Sequence, residues 1–152
     1  MPRLYLTDGA TRPLVVSVED AVGRNCPNNR GDVLLVQFML YVVDQTPATR
    51  NDTWIKTRRG ELIQIDGVYG KITEAYVELF QRQFPKIAGA IAHDIRIDPL
   101  SGAWFGTRTG VFMTMAALNL AYITALGDNS IAEMVKHPMF PREIRPSLQI
   151  SL

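Results

Sequence analysis

The stretch DGVYGKITEAYVELFQ, from Asp66 to Gln81, joins a turn to the start of an amphipathic helix. Asp66 and Gly67 favour a tight turn, because the carboxylate can accept hydrogen bonds from backbone N–H groups just ahead of it and glycine takes positive φ without a Cβ penalty. Gly70 is predicted to be a second flexible joint, and Thr73 to satisfy free N–H groups in the first helical turn. We therefore expect these four residues to have structural roles in the turn.

The helix that follows the turn has apolar residues at helical spacing. They are Ile72, Ala75, Tyr76, Leu79 and Phe80, at i, i+3, i+4, i+7 and i+8, and Val77 and Phe84 widen the stripe. We therefore expect this helix to be covered on more than one side and to be the element on which the rest of the chain packs.

Two more helices are predicted, one on each side of this central stretch. The first covers Asn29 to Leu40 (NRGDVLLVQFML), and the other covers Thr109 to Leu126. The second of these is apolar nearly all round and is followed by Gly127, a residue typical of helix C-termini. An all-round apolar helix is either central to a core or buried against another chain. Residues 109–126 are therefore also a candidate surface for self-association or for a protein partner.

The first two helices share a sequence pattern. The run VLLVQ, which ends at Gln37, repeats in outline as VELFQ, which ends at Gln81. A buried amide needs hydrogen-bond partners. We expect Gln37 and Gln81 to satisfy backbone groups of the loops rather than to contact a ligand.

The turn and helix resemble the peptidoglycan-binding-like domain, a small three-helix module often attached to cell-wall hydrolases. The matching residues are Asp66, Gly67, Tyr69, Gly70, Thr73, Val77, Phe80 and Gln81. Asn29–Leu40 also resembles the first helix of the family, and Asp94–Asn119 its closing segment, so the resemblance covers about residues 22–123. Ile95 stands where family members often have glycine, which leaves the geometry of a second turn open.

The resemblance implies a mainly α fold, with a three-helix peptidoglycan-binding-like bundle and long loops between the helices. We expect one domain over residues 1–152, with a core over about 22–127, a short extended or β arm over 1–21, and an irregular, proline-containing strap over 128–152. Within the arm, residues 3–7 and 13–19 are predicted to form two short strands, or an arm exchanged with a neighbour. Pro138, Pro141 and Pro146 are expected to exclude regular helix from the strap.

The candidate ligand-binding residues are Trp54, Tyr69, Trp104 and Arg108. Trp54 is the large apolar residue of a long polar loop, and a flat ring flanked by polar donors suits a saccharide, although the ring could instead anchor its own loop. Trp104, Arg108 and Tyr69 form a second candidate surface if the fold is as the resemblance implies. The expected groove lies between these residues and the turn at 66–70.

Composition and motifs exclude several other function classes. A net charge of +1, with one dense basic run at Lys56, Arg58 and Arg59, gives no reason to expect nucleic acid. The single cysteine, Cys26, cannot form an intramolecular disulfide or a cysteine-based zinc site. His93 with Asp94 and Asp98 matches no defined metal loop. No catalytic motif emerges, so we expect a non-enzyme without cofactor or metal.

Two hypotheses about function follow from the sequence. The first is a non-catalytic module that recognises cell-wall glycan or peptide. The second is a structural or adaptor protein that uses the same fold for assembly with other proteins, for example in a phage-like or contractile secretion machine. The sequence has neither a signal peptide nor a segment of transmembrane length, which leaves its compartment open between the cell envelope, the cytoplasm and a non-classical export route.

Overall fold

The computed structural model describes residues 1–5, 14–46, 61–84, 91–100 and 113–148. About half of these residues are helical, and the rest include two small antiparallel sheets of two strands each. In chain order the elements are β1 Arg3–Tyr5, β2 Val15–Ser17, β3 Val22–Gly23, α1 Arg30–Gln45, α2 Lys71–Gln83, β4 Arg96–Ile97, α3 Thr114–Leu126, two 3-10 helices at Met134–Lys136 and Arg142–Ile144, and α4 Arg145–Leu148. The fold is thus mixed, with a mainly helical core.

Helix α1 is the most buried helix of the described chain. Every residue from Asp32 to Val43 except Tyr41 is buried. The helix contacts α2, α3, β3 and the 3-10 helix Arg142–Ile144. The prediction that the second helix is the central one was therefore wrong, because α1 is apolar on nearly all sides and can be surrounded at lower cost.

Helix α2 buries only part of the predicted apolar stripe. Its buried residues are Thr73, Tyr76, Val77, Phe80 and Gln81, with Phe84 directly after the helix. Ile72 and Ala75, which belong to the predicted stripe, are exposed instead. The buried face is rotated by one residue because it includes Thr73 and Gln81, whose polar groups are hydrogen bonded in the interior.

Helix α3 is covered by elements of its own chain. It contacts α1, β2 and β4; half of its apolar residues are buried, and Leu120 and Leu126 are exposed. The predicted start at Thr109 lies outside the described residues, and the helix as described begins at Thr114. Its all-round apolar sequence is thus explained by position within the core.

The predicted strands near the N-terminus are confirmed where the structure describes them. Strand β1 pairs antiparallel with β2, with Leu4 opposite Val16, and β3 pairs with β4. Asn119 of α3 fixes β2 by accepting from Val16 N and donating to Val16 O, both at 2.8 Å. Val16 and Val18 belong to the main hydrophobic cluster, so this segment packs as part of the core.

The C-terminal segment is not an extended strap. It folds into turns, two 3-10 helices and α4, and it buries Met134, Phe140, Ile144 and Leu148 against the core. Pro146 lies in the first turn of α4, where the missing N–H would have no helical partner in any case. The prolines therefore punctuate short helices, and the prediction that they exclude regular helix was wrong at Pro146.

A surface network joins this C-terminal segment to the central turn. The Arg30 guanidinium forms two bonds to the Glu143 carboxylate, at 2.7 and 2.8 Å, and a third to the carbonyl of Asp66 at 2.7 Å. The bonds from Arg30 lower the pKa of Glu143. Three segments that are distant in sequence therefore meet at the start of α1.

Candidate functional site

The turn before α2 is built around the side chain of Gln37. Its amide nitrogen lies 3.0 Å from each of three acceptors, Asp66 Oδ1, Val68 O and Thr73 Oγ1. Its amide oxygen accepts from Asp66 N at 3.1 Å and from Gly67 N at 2.8 Å. The prediction that Gln37 satisfies loop backbone groups is confirmed.

Asp66 and Gly67 have the turn roles predicted for them. Asp66 Oδ1 accepts from Val68 N at 2.9 Å, and this bond, together with the bond from Gln37, lowers the pKa of the Asp66 carboxyl group. Gly67 has φ of +76°, a conformation that favours glycine.

The structure corrects the roles predicted for Gly70 and Thr73. Gly70 is extended, with φ of −123°, and a Cβ placed there would meet no atom within 4 Å, so this position is not a joint that requires glycine. Thr73 does not cap the helix, since no side chain caps α2. Its hydroxyl instead accepts from Gln37, which ties the first turn of α2 to α1.

A second turn, after α2, repeats this arrangement around Gln81. The Gln81 amide nitrogen donates to Asp94 Oδ1, Arg96 O and Thr114 Oγ1, at 3.1, 3.2 and 2.9 Å. Its oxygen accepts from Ile95 N at 2.9 Å, and Asp94 Oδ1 accepts from Arg96 N at 3.1 Å. Each glutamine thus joins one helix to an aspartate turn and to a threonine at the start of the next helix, and the prediction for Gln81 is confirmed.

The backbone conformation of Ile95 shows the geometry of the second turn, which the sequence left open. Its φ of +53° is the counterpart of the positive φ of Gly67, so the second turn keeps the geometry of the first without a glycine. A β-branched residue in this region costs about 1–2 kcal/mol. Strand β3 also approaches closely here, because a Cβ on Gly23 would lie 2.7 Å from Ile95 O.

Tyr69 is the one candidate ligand-binding residue within the described parts of the chain. It is half-buried, and its hydroxyl lies 3.4 Å from Glu74 Oε1. Glu74 also binds Arg24 through a bidentate pair with both distances at 3.1 Å, and this pairing lowers the pKa of Glu74. Burial, followed by the Glu74 charge, raises the pKa of Tyr69 well above its usual range. Tyr69, Arg24 and Glu74 therefore form a surface with one aromatic ring and both charge signs.

The sequence did not single out Arg24, because a lone arginine fifty positions before its partner carries no signal of the pairing. Trp54, Trp104 and Arg108 lie outside the described residues. Across the described ranges, no group of three His, Cys, Asp or Glu side chains could hold a metal ion. Asp94 and Asp98 instead bond within the second turn, Asp98 to the Arg96 guanidinium at 2.7 Å.

A shallow groove of about 180 Å³ runs along the solvent side of α2. It is lined by Glu61, Ile72, Ala75, Tyr76, Glu78, Leu79 and Arg82. The apolar residues in it are those that the predicted core stripe placed inside, so the groove is a direct consequence of the rotated helix.

No protein-family model matches this chain, and neither the curated proteins nor the solved structures compared with it give a match. Among the helices that the structure describes, none has the length and apolar character needed to cross a membrane.

Proposed function

We propose that this chain is a non-catalytic binding module of the peptidoglycan-binding-like type, with cell-wall glycan or peptide as its ligand. The observation that supports this most is the duplicated glutamine, aspartate turn and threonine arrangement. It gives structural roles to Asp66, Gly67, Thr73 and Gln81, which are among the residues that carry the sequence resemblance. A three-helix bundle formed by α1, α2 and α3 is part of the same proposal.

The surface of Tyr69, Arg24 and Glu74 is the part of the described chain that best suits such a ligand. The exposed part of the Tyr69 ring can stack on a sugar face, while a guanidinium and a carboxylate beside it can bond hydroxyl, amide or carboxylate groups. The first turn positions Tyr69, which follows Gly67 and Val68 directly, and the pairing of β3 with β4 positions Arg24, which follows Gly23.

A pull-down with purified sacculi, at low and moderate salt, tests the proposal. Wild-type protein should sediment with the sacculi, and Tyr69→Ala and Arg24→Ala should each reduce the bound fraction several-fold. Arg82→Ala is the control, because Arg82 is also an exposed arginine that pairs with a glutamate of α2, Glu78, but it lies away from Tyr69. Wild-type protein that stays wholly in the supernatant would sink the proposal, and equal binding by all variants would exclude this surface as the site.

A second candidate function is a structural or adaptor role through self-association. It is favoured by three exposed large apolar side chains in the first turn of α2 and in the segment 61–70 that precedes it, Leu62, Val68 and Ile72, of which Val68 is 62% exposed. Light scattering should then show a mass that rises with protein concentration, and Ile72→Lys should restore the monomer. A wild-type protein that is monomeric at high concentration would contradict this role.

A further inference from the structure

A cavity of about 250 Å³ lies between the end of α3 and the segment that follows it. Its lining residues are Tyr122, Leu126, Ser130, Glu133, Lys136 and His137. One wall is rigid, because Phe38 of α1 lies against both Tyr122 and His137, with ring centroids 6.0 and 5.3 Å apart. This cavity is separate from the surface around Tyr69 and from the groove along α2.

Two polar groups of this cavity have no partner in the described chain. The Tyr122 side chain is buried, with 1% of the residue exposed, yet its hydroxyl makes no hydrogen bond to the described residues. The Ser130 hydroxyl oxygen is also buried and has no hydrogen-bond partner there. Buried polar groups are nearly always hydrogen bonded, so the unpaired Ser130 hydroxyl indicates a missing partner, and the Tyr122 hydroxyl in the same cavity has no competing bond in the described chain.

The other polar groups of the cavity are mostly donors. His137 Nδ1 accepts from Met139 N at 3.1 Å, which places the proton of the neutral ring on Nε2. The Lys136 ammonium lies at the outer limit of contact with Glu133, at 4.0 Å. The cavity lining therefore offers two hydroxyls, an imidazole N–H and an ammonium as donors, against one carboxylate, that of Glu133. The apolar side chain of Leu126 lies beside them.

We propose that this cavity binds a small carboxylate-bearing molecule with a short branched apolar part. The carboxylate would accept from the hydroxyls of Tyr122 and Ser130 and pair with Lys136, and the apolar part would lie against Leu126. The volume is somewhat below the roughly 300–1,000 Å³ of pockets for drug-sized ligands, which restricts the ligand to a few heavy atoms. The negative charge of Glu133 repels the bound carboxylate and so weakens its binding.

The two histidines of the chain allow a direct test by NMR of the imidazole signals. His137 lies in the cavity, and burial lowers its pKa, whereas His93 is exposed and serves as an internal reference. Isobutyrate, added up to tens of millimolar, should shift the His137 signals saturably and raise the pKa of His137, because a nearby anion favours the charged ring. The His93 signals should stay unchanged. Isobutyramide, which is neutral and of the same shape, should have no such effect.

Variants extend the test to the residues that carry the proposal. Tyr122→Phe and Ser130→Ala should each weaken isobutyrate binding at least threefold, and Glu133→Gln should strengthen it. Thr124→Ala, an exposed change on the same helix, is the control and should bind like wild type. The proposal is overturned if wild type shows no saturable shift, if both histidines respond equally, if the amide binds as well as the acid, or if the two hydroxyl variants keep wild-type affinity.

Discussion

Gly67 and Gly70 stand in the same turn but have different backbone conformations. Gly67→Ala should destabilise the protein by about 1–2 kcal/mol, since it forces a Cβ into positive φ. That Cβ would also lie 2.8 Å from Arg30 Cγ. Gly70→Ser should be neutral or stabilising by up to about 1 kcal/mol, because the site is open and extended and serine is a good N-cap. Urea unfolding of both variants checks this, and equal destabilisation would contradict it.

The Asp66 carboxylate should contribute to the acid sensitivity of the fold. Its pKa in the folded state lies below the ordinary value of 3.8, so its stabilising contribution is present above that value and is lost as pH falls through the folded pKa. Asp66→Asn keeps an oxygen that can accept from Val68 N but binds no proton. Its free energy of unfolding should therefore fall less than that of wild type between about pH 5 and about pH 2.

A control for this pH dependence is Asp128→Asn. Asp128 is exposed and makes no hydrogen bond within the described chain, so its replacement should leave the wild-type acid profile unchanged. If the free energy of unfolding of Asp66→Asn fell with pH as steeply as that of wild type, the turn carboxylate would have no part in acid unfolding.

Single residues show where sequence patterns predict conformation and where they do not. Gln37 and Gln81 could be placed correctly because a repeated pattern and the cost of a buried amide point to the same role. The prediction that Gly70 is a flexible joint was wrong, because a glycine permits positive φ but does not require it. Ile95 adopts positive φ with no signal in its own side chain, since the contacts of the surrounding turn outweigh its preference.

At the scale of elements, the C-terminal segment gives the clearest contrast between buried and exposed side chains. Ile144 is fully buried and Met139 is 46% exposed, although both lie among the same prolines. Ile144→Ala should cost about 2–5 kcal/mol, because it leaves a cavity beside α1. Met139→Ala should change the free energy of unfolding by less than about 0.5 kcal/mol. Thermal and urea unfolding check both, and a near-neutral Ile144→Ala would show that the segment is a detachable strap.

The elements differ in how well their sequences predicted them. The three long helices and the two N-terminal strands were found from apolar spacing, which is a local signal. The buried face of α2 was found only in part, because its exact position also depends on hydrogen bonds from Thr73 and Gln81 to other segments. The folded form of the C-terminal segment also depends on α1, against which Phe140 and Ile144 pack. Tertiary contacts decided both cases.

For the molecule as a whole, the sequence predicted the internal repeat but not the way in which it is joined. Helix α1 carries the glutamine of the first repeat and also contacts α2, α3, β3 and the 3-10 helix Arg142–Ile144, so both repeats and the C-terminal segment pack on it. Of the candidate site, Tyr69 could be named from the resemblance, whereas Arg24 and the cavity at Tyr122 arise from contacts between distant segments. Such contacts leave no periodic signal in a single sequence.

The position of α1 predicts that the two repeats unfold as one unit. Gln37→Leu and Gln81→Leu each leave several interior polar groups of one turn without a partner, and each should cost about 3 kcal/mol. Gln45→Leu is the control, because Gln45 is exposed and bonds the adjacent Asp44, and it should change stability by less than about 0.5 kcal/mol. In both turn variants, hydrogen exchange of the α1 amides should speed up by the same factor as exchange in α2 and α3. If Gln81→Leu instead loosened α3 alone while α1 and α2 kept wild-type protection, the two repeats would be separate folding units and α1 would not couple them.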